Sequence, residues 1–185
     1  MPRAAALAWL AIAAAPTAAA EDVAFCDVDP VRWHAEEAAA LAGFWQVSSG
    51  PGVLTMGGRS VALPPGPDSS AAIEAAVDGL TITGGPSPGT WPLNPWTGPD
   101  LDFTPPEGTP GVEGLLDTEE MGLALGCDVN ALPRLHAAGS FTDPEGRVDF
   151  DLYLVVQSEG LMTGVTVGRL NGGQGVARRT LTLTR

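Results

Sequence analysis

The chain has 185 residues, with nine Arg, no Lys and 22 acidic residues, for a formal net charge of −13. A field of that sign repels phosphate backbones and anionic headgroups, which argues against nucleic acid as a partner. The 44% of hydrophobic residues suits a folded domain with its own core.

The first twenty residues, MPRAAALAWLAIAAAPTAAA, place one Arg before an apolar run and small residues after it. That order predicts a secretory signal peptide over 1–20, cleaved after Ala20. The apolar run is too short for a membrane-spanning helix. Residues 21–185 are then a single exported domain, periplasmic or secreted, able to bury roughly 70% of its unfolded surface. Two cysteines remain, Cys26 and Cys127. In an oxidising compartment such a pair reads as a disulfide, with two buried thiols as the alternative. In the chain-entropy model a loop of that length contributes up to about 4.7 kcal/mol.

Residues 30–42, PVRWHAEEAAALA, have helix-forming composition, with Val31, Ala35, Ala38, Leu41 and Ala42 at spacings of three and four. Pro30 suits the first turn and Gly43 the stop. Short β-rich runs follow. They turn at Gly57-Gly58, Asp78-Gly79, Asp143-Pro-Glu-Gly146, Glu159-Gly160 and Asn171-Gly-Gly. In RVDFDLYLVVQ, Val148, Phe150, Leu152, Leu154 and Val156 form one apolar face. Arg147, Asp149, Asp151, Tyr153 and Gln157 form the other, which reads as solvent-exposed. The pattern predicts a mainly β fold, an antiparallel up-and-down meander closed as an eight- or nine-stranded barrel. A two-sheet sandwich is the alternative.

One excursion interrupts the meander. Residues 84–111 hold eight prolines together with Trp91 and Trp96, too few backbone donors for a central strand. Asp117 and Glu120 then form a capping box, with Gly126 as a stop. Residues 84–136 thus read as a long Pro/Trp-rich connection with a short helix, of the kind that forms lids.

No catalytic signature is present: no Gly-x-Ser-x-Gly elbow, no His-Glu-x-x-His, no phosphate loop. His34 and His136 are the only histidines, and no Cys-x-x-Cys occurs, so no metal site or cofactor is expected. The reading is a non-enzyme.

Gly43-Phe44-Trp45 places a Gly-x-Trp triplet between the short helix and the first strand; Gly89-Thr-Trp91 repeats it among the prolines. Helix, Gly-x-Trp, antiparallel meander and a late Arg together resemble the lipocalin (calycin) pattern. The resemblance implies that Trp45 closes one end of the barrel, under an arginine from the final strand. Arg179 shares the parity of Leu181 and Leu183 and Arg178 does not, so Arg179 is the expected partner. A middle Thr-Asp-Tyr-like motif is missing, since Thr142-Asp143-Pro144 is a turn. The function so implied is binding of a small apolar or amphipathic ligand, with Trp91 and Trp96 at the rim. The alternative is a periplasmic protein-interaction module, an inhibitor or envelope assembly factor, docking through an apolar patch around the same two tryptophans.

Overall fold

A computed structural model describes residue 26 and residues 28–77, 79–85, 87–100 and 118–185. The proposed leader, Asp117 of the capping box and residues 101–116 of the excursion lie outside these.

Nine strands form one antiparallel sheet: β1 (Gly43–Met56), β2 (Arg59–Leu63), β3 (Ser69–Ala76), β4 (Gly79–Gly84), β5 (Thr90–Pro95), β6 (Arg134–Asp143), β7 (Gly146–Ser158), β8 (Leu161–Leu170) and β9 (Gly175–Thr184). Pairing runs in sequence from β3 to β9, and β9 returns to pair with β1. That closes an eight-stranded barrel and excludes the sandwich. One edge of β1 serves two partners, β3 along Gly43–Val47 and β2 along Gly52–Met56, so β2 is an added flap beside the barrel. The glycine-bearing turns read from the sequence all connect neighbouring strands.

Two departures have clear causes. First, the helical segment is broken: α1 (Pro30–Glu36), capped by Asp29, gives way to a 3₁₀ turn over Ala38–Leu41. Its buried residues are Trp33, Ala38 and Leu41, while Val31 is exposed. The break lets Trp33 and Leu41 both reach the barrel end. Second, β5 lies inside the proline-rich stretch and is a central strand despite Pro92 and Pro95. It pairs with β4 over four residues but with β6 over only two, as expected where prolines remove ladder donors. The Trp91 ring strengthens this weak seam by lying across β6 at Gly139, where any Cβ would overlap it.

The barrel interior is graded. At the end where β1 begins and β9 finishes, Trp45, Val47, Ile73, Ile82, Leu154, Met162, Leu181 and Leu183 are each at most 2% exposed. Burying each Leu, Ile, Val or Met there contributes roughly 1.5–3 kcal/mol. At the other end the inward positions of β1, β3, β8 and β9 include small residues, Ser49, Ser69, Thr166, Gly168 and Ala177, facing Phe141, Val148 and Phe150. A second, minor core lies outside the barrel. Val129 and Leu132 from the connection before β6 bury Val155 on the outer face of β7, beside Trp96, Tyr153 and the disulfide. Cys26 and Cys127 are bonded, with Cα atoms 6.2 Å apart, tying the N-terminal segment to this strap. The helix α2 (Thr118–Leu125) precedes it and ends at Gly126. Among the described residues no helix is long and apolar enough to cross a membrane.

Candidate functional site

Trp45 points inward from β1 and is 1% exposed. Its indole Nε1–H donates to the carbonyl of Leu41 at 2.9 Å, which fixes the 3₁₀ turn across the barrel end. Gly43 enters the strand at φ +145°, where a side chain would be strained. The arginine over the Trp45 ring is Arg185, with its guanidinium carbon 5.0 Å from the centroid. Arg185 also donates to Ala40 O at 2.9 Å and Ala42 O at 3.3 Å. One side chain therefore holds helix, strand and C-terminus together.

This corrects the expectation for Arg179. Parity put Arg179 on the inward face, and it is there, but at the opposite end. Around Gly50-Pro51 the register of β1 against β9 shifts, with Ser49 pairing Leu181 and Gly52 pairing Arg179. Such a bulge releases backbone groups from the ladder. Gly50 O accepts from Arg179 Nη1 at 2.8 Å and Pro51 O from Thr180 Oγ1 at 3.2 Å. The same Nη1 reaches Pro64 O at 2.7 Å, so Arg179 ties the β2–β3 loop to the bulge.

Beside it, the small inward residues leave a cavity of about 350 Å³. Leu63, Phe141, Val148, Phe150 and Ala177 supply apolar wall; Ser49, Ser69, Ser87 and Thr166 supply hydroxyls; Arg179 is the only ionisable lining residue among the described residues. Trp91 stands one ring back, edge-on to Phe150 at 5.0 Å between centroids, and Phe150 in turn lies 6.1 Å from the Phe141 ring.

Trp91 and Trp96 do not share a site. Trp91 is an inward residue of β5, half-buried behind Phe150 and not itself among the cavity-lining residues. Trp96 lies on the outer face against Tyr153 and His136, with centroids 5.2 and 5.1 Å away. Among the described residues the two rings therefore lie on opposite faces of the sheet. The outer face of β7 is also not simply solvated. Asp151, its side chain 19% exposed, accepts from His136 Nε2 at 2.9 Å and pairs with Arg169. Burial pushes its carboxyl up, but hydrogen bonds and charge from Arg169 and His136 outweigh this and hold it below the ordinary 3.8. Tyr153, stacked on His136 at 4.8 Å, is raised above its ordinary 10.0 by burial and by the Asp151 charge. Asp149 is half-exposed and pairs with Arg147. His34 faces β5, its Nε2 3.4 Å from Leu93 O. Among the described residues no group of three or more His, Cys, Asp or Glu is placed to hold a metal.

The residues that line the cavity were missed in the sequence, although their signal is there. Once strand register is known, inward positions on β1, β3, β8 and β9 change from Leu, Ile, Val and Met to Ser, Gly, Ala and Thr along the barrel axis. No protein-family model, curated protein or solved structure matches the chain.

Proposed function

We propose that this protein is an exported, non-catalytic, lipocalin-like carrier that holds one small apolar or amphipathic ligand in the open half of its barrel. The observation that carries this reading is the combination of a sealed end and a hollow end. Trp45 under Arg185 fills one half, and an aromatic-walled cavity of about 350 Å³ occupies the other. That volume lies at the small end of ligand sites, which are typically about 300–1,000 Å³, mostly apolar and provided with a few polar groups. The helix, Trp45 and terminal arginine also support the lipocalin resemblance, with Arg185 in the role first expected of Arg179. The disulfide suits an exported protein.

Native mass spectrometry of the purified protein, followed by solvent extraction, tests this. A co-purifying small molecule, or a one-to-one adduct with an added apolar compound, is the expected result. A protein that carries nothing and takes up no apolar compound contradicts the carrier reading.

A further inference from the structure

We infer that the ligand is an anion, an apolar body ending in one carboxylate, and that Arg179 is the residue that grips it. This rests on the carrier reading and adds the ligand's charge to it.

Five of the eight described arginines lie against carboxylates: Arg32, Arg134, Arg147, Arg169 and Arg185. Arg59 and Arg178 are exposed to water. Arg179 is only partly exposed and, among the described residues, has no carboxylate partner. In a chain with 22 acidic residues, an unmatched cation in an apolar-walled cavity is the exception. Half-burying a charge without a counter-ion is unfavourable, and a ligand carboxylate removes that cost.

The hydrogen-bond pattern defines which edge is free. Nη1 has two N–H groups, and both have acceptors, Gly50 O and Pro64 O. Guanidinium carries five N–H donors. The remaining three sit on Nε and Nη2, the edge whose parallel N–H groups match the two oxygens of a carboxylate. The backbone bonds hold the head still, so little side-chain freedom is lost on binding. Gly66 lines the same cavity and packs closely on the bonded side of the head, where a Cβ would lie 3.2 Å from Nη1. The overall charge of −13 disfavours anions at long range, so an anion bound here is held by this local contact.

Three ligands with one alkyl chain and different heads separate the possibilities: decanoate, 1-decanol and decyltrimethylammonium. Each is titrated into the wild-type protein by calorimetry at neutral pH. Decanoate is expected to bind at least about tenfold tighter than decanol, which is ~1.4 kcal/mol. The ammonium is expected to bind weakest. Arg179→Met should remove the preference for acid over alcohol, read as the ratio of the two affinities in the same variant. Arg179→Lys keeps the charge without the fork and should fall between. Because the three-ligand comparison uses wild-type protein, it stands even if the variants fold poorly. Equal binding of acid and alcohol, or preference for the ammonium, overturns the anion inference and leaves the carrier reading in place. Failure of all three to bind overturns both.

Discussion

Replacing Arg185 by Met tests the closed end of the barrel. The guanidinium sits 5.0 Å from the Trp45 ring centroid and its side chain is 27% exposed, so the cation–π contact contributes about 0.5–1 kcal/mol. The hydrogen bond to Ala40 O at 2.9 Å is well formed and the one to Ala42 O at 3.3 Å is longer. Together they contribute about 1.5–2 kcal/mol, near the lower range for charged donors. Glu159 lies 4.0 Å away with its side chain 69% exposed and adds little. The expected loss is about 2–3 kcal/mol, or roughly 4–12 °C in Tm for a domain of this size. Urea denaturation followed by circular dichroism measures it, with Arg178→Met as an exposed control near zero. In a double-mutant cycle with Trp45→Phe, the coupling should be about 0.5–1 kcal/mol. A loss for Arg185→Met within about 0.5 kcal/mol of the control would refute the view that this residue holds the closed end of the barrel.

Gly139→Val forces the Trp91 ring off β6 and should cost about 1–3 kcal/mol; the penalty should shrink in a Trp91→Leu background, measured by thermal unfolding. Cys26→Ser with Cys127→Ser should lower stability by about 2–5 kcal/mol and leave ligand affinity unchanged, because the strap lies on the outer face; calorimetry in both senses checks this. Asp151→Asn should destabilise the protein by about 1–2 kcal/mol at neutral pH. The Asp151 carboxyl is lowered in the folded state, so its contribution is present above the ordinary 3.8 and is lost as pH falls through the lowered value. The gap between wild type and Asp151→Asn, followed by urea unfolding across pH, should therefore close under acid conditions.

Local patterns were legible where one physical rule acted alone. The glycine turns and the alternation of Phe150, Leu152, Leu154 and Val156 needed only turn chemistry and a two-residue period. Arg179 shows the limit of that period. Six residues separate it from Arg185, about 20 Å of strand, and parity places both on the inward face without saying at which end. The missing information is the closure of β9 on β1 and the bulge at Gly50-Pro51, both long-range. Trp91 was misplaced because a count of prolines hides the fact that β5 needs only short ladders when an aromatic ring covers its seam. Asp151 was read as solvated because alternation reports one strand alone, whereas the side chains that cover it, His136 and Arg169, come from the neighbouring strands β6 and β8. The cavity follows the same logic, since small inward residues from distant strands meet only once the barrel is closed.

The central claim is the hollow half of the barrel, and filling it is the most direct test. Gly168 lines the cavity, and a Cβ there would meet Val148 Cγ1 at 3.6 Å, an ordinary contact, so Gly168→Leu should fold and occupy the space a ligand needs. Titration with the neutral fluorophore Nile red is predicted to show one saturable site on the wild-type protein, lost in Gly168→Leu at unchanged circular dichroism. Equal binding to both proteins, or to neither, would contradict a ligand site inside the barrel.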